Sequence, residues 1–159
     1  MYLVEDRTLE ATGGQSDLLK QVGALCVRET PDGPEVLLIT TRDSKRWMIP
    51  KGWPILGLSS HKTAEREAWE EAGVIGKVKR KLYGHFRYVK VLDDGRGIEL
   101  VVAVHLLKVQ RQKKQFPETG ERNVVWMTPT EAAKCVREPD LKRLLSSVER
   151  NKPALEQFG

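Results

Sequence analysis

The chain has 159 residues, 40% of them apolar and 31% charged, with a formal net charge of +5 at pH 7. That length suits one domain with its own core, and the balance is that of a globular protein rather than a disordered or fibrous one. Two cysteines, Cys26 and Cys135, are too few for a disulfide framework, and no apolar run reaches the roughly 18 residues of a membrane-spanning helix.

The opening "MYLVEDRTLEATGG" carries Glu5 and Asp6 and no long apolar stretch, unlike a secretory signal. We therefore expect a cytoplasmic protein, a single domain over 1–159 with a polar lead-in over about 1–20, and no membrane partner. Both cysteines sit among apolar neighbours and are expected as buried thiols. The first strand is expected at Gly23 to Val27 and the second at Glu35 to Thr40, joined by "ETPDGPE", whose Pro, Asp and Gly suit a hairpin connection. Arg46 to Ile49 reads as a short extended piece, because Pro50 biases Ile49 away from helix.

From Ser59 the period changes. Ala64, Ala68 and Ala72 recur every four residues, which predicts a helix. Ser59 or Ser60 can cap its start, and Gly73 suits its end. The alanines permit close approach to a sheet, with Trp69 as a buried or half-buried anchor. "VIGKVKRKLYGHFRYVKV" and "IELVVAVHLLKV" read as two longer strands, turned at "DDGRG" from Asp93 to Gly97. "RNVVWMT" reads as a last short strand. Thr128-Pro129, with Glu131 three residues after Thr128, opens a short helix. Asp140 to Glu149 forms the final helix, entered at Pro139, with Leu141, Leu144, Leu145 and Val148 on one side. This order implies an α/β fold, a mixed sheet covered by helices.

Glu67 and Glu71 are four residues apart and share a helix face, with Glu70 beside them. Exposed like charges at this spacing repel by a few tenths of a kcal/mol, roughly, per pair. Arg66 offsets part of that through Glu70, and a divalent cation offsets it more directly. Mg²⁺ and Mn²⁺ take carboxylate and water oxygens, so the cluster is either a metal face or an ordinary solvated one. The densest basic run, Lys108, Arg111, Lys113 and Lys114, suits nucleic acid, anionic lipid or a polyphosphate, or is simply solvated. No zinc-finger spacing or basic-aromatic array accompanies it, so no specific nucleic-acid binding is expected. His61, His85 and His105 lack metal-ligand spacing.

"RWMIPKG" followed by "REAWEEAGV", Arg66 to Val74, resembles the Nudix hydrolase family (MutT-like), whose signature is G-x5-E-x7-R-E-U-x-E-E-x-G-U with U bulky and apolar. Gly52 matches the opening glycine at the family's spacing to Arg66; Ala68 fills the first U position. The resemblance implies an α/β/α sandwich with a mixed sheet. It implies Mg²⁺ or Mn²⁺ held by Glu67 and Glu71, Glu70 as ligand or general base, Arg66 orienting the glutamates, and Gly52 lending a backbone oxygen. One position departs: the glutamate six residues after Gly52 is Leu58, and no acid occurs from Trp53 to Ala64. Glu118 and Glu121 are candidates for a further acid, or are ordinary loop residues. The family cleaves diphosphate linkages, so a small phosphorylated molecule is the implied partner. "WMIPKG" is closest in style to the dinucleoside polyphosphate and diphosphoinositol polyphosphate hydrolase groups. On that likeness Lys51 faces a phosphate chain and Trp47 packs or stacks, while Arg42, Lys45 and Arg46 line an anionic site to which Arg87 and the 108–114 run add. The alternative is a catalytically impaired relative that binds a phosphorylated ligand or partner.

Overall fold

The computed structural model describes residues 19–156. Strand β1 (Leu19–Thr30) and strand β2 (Gly33–Thr40) form an antiparallel hairpin closed at Thr30 and Gly33. The turn works because Gly33 adopts φ 116°, a conformation open to glycine, while Thr30 Oγ1 donates to the Gly33 carbonyl at 2.8 Å. The first strand begins within the expected lead-in; the rest of that lead-in lies outside the described residues. Two short strands follow, β3 (Trp47–Met48) against β2 and β4 (Lys51–Gly52) against β1. Helix α1 (Ser60–Ala72) comes next, then β5 (Val74–Val78), β6 (Gly84–Val91), β7 (Gly97–Gln112) and β8 (Val124–Met127). Helices α2 (Pro129–Cys135), α3 (Pro139–Ser147) and α4 (Lys152–Glu156) complete the order.

The sheet is mixed: β1 runs parallel to β7 from Leu19↔Leu100 to Val27↔Lys108, and the other pairings are antiparallel. Alternation of side chains along a strand feeds two cores. Val22, Ala24 and Cys26 of β1, with Leu37 and Ile39 of β2, meet Ala64, Ala68 and Ala72 of α1. Leu25 and Val27, with Val36, Leu38, Phe86 and Leu100, meet Ala132, Leu141, Leu145 and Val148 on the other side. The result is the expected α/β/α sandwich. Full burial of Leu141 and Leu145 stabilises the α3 contact by about 2 kcal/mol per side chain. No described helix is long and apolar enough to cross a membrane.

Several expectations are corrected. The stretch from Val74 to Val91 is two strands, β5 and β6, that share one edge of β7. Lys79 N–H and Tyr83 N–H still bond the Leu106 and Val104 carbonyls at 2.8 Å, so the chain bows out only between them. Arg80, Lys81 and Leu82, the residues of the bow, are all exposed. The last long helix ends at Ser147 rather than Glu149, and α4 was not anticipated. Cys26 is buried, its thiol pushed up to about 12 by desolvation. Cys135 is exposed, at the outer end of α2. Ser59 occupies the N-cap position of α1 without a side-chain cap bond; it reaches His61 Nδ1 at 3.2 Å, and Ser60 Oγ reaches the buried His105 Nε2 at 2.7 Å.

Helix α2 has the predicted capping box. Thr128 Oγ1 accepts from the Glu131 N–H, and Glu131 Oε1 accepts from the Thr128 N–H, each at 3.1 Å. Thr128→Ala is expected to lower unfolding free energy by about 1 kcal/mol, read as a lower urea midpoint at unchanged slope.

Candidate active site

A cleft of about 1090 Å³ opens where β3, β4 and the second half of β6 meet the C-terminal half of α1. Its geometry begins with β4. Gly52 pairs with Val22 and Lys51 with Gly23, and successive residues of a strand project to opposite faces. Gly52 therefore faces α1, while the Lys51 side chain passes to the other face. A Cβ on Gly52 would fall 2.5 Å from Glu67 Cδ and Oε2, so the absent side chain makes the space that the Glu67 carboxylate fills. One helical turn on, Glu71 Oε1 accepts from the Lys51 N–H at 3.2 Å. Two glutamates one helical turn apart thus meet two consecutive residues of β4.

Glu71 is 7% exposed. Its Oε2 lies 3.6 Å from Arg122 Nη2, which also meets Glu118 Oε1 at 2.9 Å. Glu118 is tied to the helix, because its N–H donates to the Glu70 carbonyl at 3.0 Å. Glu67, Glu70, Glu71 and Glu118 all line the cleft. Crowding of acids away from water resists charge: the Glu67 carboxyl is pushed up to about 8 by burial, then by Glu71, Glu70 and Glu118. Glu71 is raised to about 6 by burial, against the pull of Arg122 and Lys51.

The opposite wall is basic. Lys51 Nζ donates to Tyr88 Oη at 2.8 Å, and Tyr88 donates to Gln21 Oε1 at 2.7 Å. Burial lowers Lys51 to about 8. Arg46 bonds Glu138 Oε2 at 2.6 Å, and Arg42 bonds Glu121 Oε1 at 2.9 Å. Arg46, Arg42, Arg87, Lys90 and Arg137 also line the cleft.

The sequence-predicted residues are therefore sorted by the fold. Glu67, Glu70, Glu71, Gly52, Lys51, Arg42, Arg46 and Glu118 converge on one cleft. Glu121 does not line it and is engaged with Arg42. Arg66 is outside the lining and only 4.0 Å from Glu70 at its nearest oxygen; the arginine that grips the acids tightly is Arg122. Trp47 packs on the core beside the α2–α3 layer. Leu58 is half-buried in the loop before α1 and does not itself line the cleft, although its N–H donates to the carbonyl of the lining residue Ile55 at 2.9 Å. The 108–114 run ends β7 outside the cleft, and Lys108, Arg111, Lys113 and Lys114 are exposed. Sequence reasoning missed Gln21, Tyr88, Arg122 and Glu138. Only Arg122 carried a signal, its four-residue spacing from Glu118.

The acid face has the chemistry of a divalent-cation site but not, as it stands, the geometry. Among the described residues no three acid, histidine or cysteine side chains enclose an ion as they stand, since Glu71 is turned to Arg122 and the Lys51 N–H. The donor set nevertheless suits one. It is all oxygen, as Mg²⁺ and Mn²⁺ require. Among the described residues no Lys or Arg pairs with Glu67, whose carboxyl is held up first by burial and then by the neighbouring acids.

Fold and cleft together define the class: a mixed-sheet α/β/α sandwich with a carboxylate-bearing helix laid over a glycine of a short strand. Within that class the chain belongs to the NUDIX domain family, whose family model matches residues 19–148. It is 34% identical over 114 residues to Nudix hydrolase 17, mitochondrial, of Arabidopsis thaliana, a match covering 72% of this chain and 60% of that protein. It is 32% identical over 111 residues to Nudix hydrolase 18, mitochondrial, of the same plant, covering 70% and 61%. The chain thus matches about 60% of the length of these curated relatives. Among solved structures, a NUDIX hydrolase from Nitrosomonas europaea has the same fold, with TM-score 0.62 at 17% identity over 85% of this chain and 90% of that one. The C. elegans Ap4A hydrolase does too, with TM-score 0.57 at 20% identity over 81% and 94%.

The raised acid has a measurable consequence. For a carboxyl whose folded pKa is raised, stability is full below the unfolded value and is lost as pH rises through the folded one. Metal-free protein therefore loses stability through Glu67 between its ordinary value of 4.5 and about 8. Glu67→Gln is expected to melt above wild type at about pH 8.5 in chelator, with the gap closing towards about pH 5, in thermal scans across that range.

Proposed function

We propose that this domain is a pyrophosphohydrolase dependent on Mg²⁺ or Mn²⁺. Its substrate has a diphosphate linkage, in a nucleoside diphosphate derivative, a dinucleoside polyphosphate or an inositol pyrophosphate. The observation that carries this reading is the joining of four carboxylates, Glu67, Glu70, Glu71 and Glu118, to a facing wall of cations in one cleft. Family membership supports it.

In this reading Glu67 and Glu71, with Glu70 and the Gly52 carbonyl oxygen, hold the metal. When bound, the metal neutralises phosphate charge and lowers the pKa of water. The Glu70 carboxylate has one loose contact, to Arg66 at 4.0 Å, and it accepts the proton of the attacking water. The water oxygen forms a new P–O bond, the bridging P–O bond breaks, and the bridging oxygen leaves on the second phosphate. Arg66 stays close enough to bias Glu70 without binding it. Lys51 orients the phosphates by charge-assisted hydrogen bonds, with Arg46 and Arg42 further along the wall.

Leu58 leaves the family position without an acid. Glu118 supplies a carboxylate from another element: it lines the cleft, bonds the Glu70 carbonyl and adds to the charge that raises Glu67. The second reading, a binding protein with little turnover, draws on Leu58 and on the grip of Arg122 upon Glu71.

Cleavage of diadenosine polyphosphates, nucleotide sugars, nucleoside triphosphates and inositol pyrophosphates with each metal is to be followed by anion-exchange separation of the phosphorylated products. At least one compound is expected to turn over. Glu70→Gln and Glu71→Gln should each lower kcat by about 10²- to 10⁴-fold, and Glu118→Gln should cost more than Glu121→Gln. Gly52→Ala should displace the Glu67 carboxylate and weaken Mg²⁺ binding measured by calorimetry. Absence of both turnover and metal binding would falsify the enzymatic reading; ligand binding without turnover would favour the second.

A further inference from the structure

Behind Lys51 the facing wall contains a buried polar pair, Tyr88 and Gln21, that the proposed reaction does not use. Tyr88 lies on β6 and is 6% exposed; Gln21 lies on β1 and is 3% exposed. The two strands do not pair, because β7 stands between them, yet both project to the same sheet face and Tyr88 Oη donates to Gln21 Oε1 at 2.7 Å. A phenol has one hydrogen to give. With that hydrogen committed to Gln21, the oxygen lone pairs are left for Lys51 Nζ, which donates at 2.8 Å.

Lysine has a flexible four-carbon stem and a point charge at its end, so an unsupported Lys51 would sample many positions across the cleft. Three contacts remove that freedom. Its backbone N–H is bonded to Glu71, its ammonium is bonded to Tyr88, and Nζ also lies 4.4 Å from the Tyr88 ring centroid. The same ring carries Arg46, whose guanidinium carbon is 5.9 Å from the centroid. Two cations of the wall thus rest on one aromatic residue. An ammonium has three donors; one goes to Tyr88, and two remain for a ligand.

We infer that Tyr88, oriented by Gln21, is a positioning residue that fixes the Lys51 ammonium as the anion-contacting point of the cleft. The inference rests on the reading of the cleft as a diphosphate site and names the residues that set its affinity. Tyr88 lines the cleft beside Lys51, and its hydroxyl, bonded to Lys51 and Gln21, acts through Lys51. Its effect belongs to binding rather than to the chemical step, because Lys51 donates to phosphate oxygens before and during bond cleavage.

The test is a double-mutant cycle on Tyr88→Phe and Lys51→Met, read by calorimetry with imidodiphosphate, a non-hydrolysable diphosphate, in Mg²⁺. The Phe variant keeps the ring and its packing and removes only the hydroxyl. Its Kd is expected to rise about tenfold, the size of a hydrogen bond to a charged group. In steady-state kinetics KM should rise comparably and kcat should stay within about threefold. Lys51→Met should weaken binding at least as much. In the double variant the Tyr88→Phe effect should vanish, because its only route runs through Lys51. Gln21→Leu, which frees the phenol hydrogen, should reproduce a smaller part of the Kd change. A Tyr88→Phe protein with wild-type Kd, additive effects in the cycle, or a wild-type protein that fails to bind imidodiphosphate would each overturn the inference. Binding that follows this pattern with no hydrolysis of any compound would sink the hydrolase reading and leave this one standing. Hydrolysis with unaltered Tyr88→Phe kinetics would do the opposite.

Discussion

Two carboxylates of one helix face rest on two consecutive backbone units of one short strand. Glu67 occupies the space over Gly52, and Glu71 accepts the N–H of Lys51. This contact sets the height and rotation of α1 over the sheet. Ala64, Ala68 and Ala72 permit it, since larger side chains on that face would hold the helix off. It also aims the next strand residue: with Gly52 turned to α1, Lys51 must send its side chain through to the other layer, where Tyr88 receives it. The acid wall and the basic wall of the cleft therefore have a common origin in β4.

The electrostatics follow from that packing. Burying several carboxylates together is unfavourable unless cations or donors meet them. Arg122 meets Glu71 and Glu118, the Lys51 N–H meets Glu71, and Glu67 is left with raised proton affinity. On the other wall Arg46 is matched by Glu138 and Arg42 by Glu121. Glu138 Oε1 is buried without a hydrogen-bond partner, so even this pairing is incomplete. The cleft therefore has opposed, partly unmatched walls, acidic on the α1 side and basic on the other.

Local patterns were readable where contacts are local. The helix from Ser60 to Ala72, its Gly73 terminus and the Thr128–Glu131 capping box depend on spacings of three to five residues, and all are present. The break of Val74 to Val91 into two strands was not readable, because a bow in an edge strand depends on which partner carbonyls its N–H groups reach. The grip of Arg122 on Glu71 and Glu118 is not marked in the sequence, because Arg66 sits nearer to the glutamates in sequence although its contact with Glu70 is looser. Gln21 and Tyr88 are 67 positions apart, and nothing in either neighbourhood marks them as partners. Leu58 was legible as a missing acid; that Glu118 faces the cleft while Glu121 is engaged with Arg42 was not.

The sequence by itself determined that Glu67, Glu70 and Glu71 share a helix face, that a glycine precedes them at a family spacing, and that the chain alternates strands and helices as an α/β sandwich. These are properties of helix pitch, strand period and motif spacing, which short-range geometry enforces. Only the tertiary structure decided which cations oppose the glutamates, which distant acid joins them, and which phenol holds Lys51. Those choices depend on how β1, β6 and the loop before β8 are brought to one end of the sheet, and no local spacing encodes an approach between side chains that many residues separate.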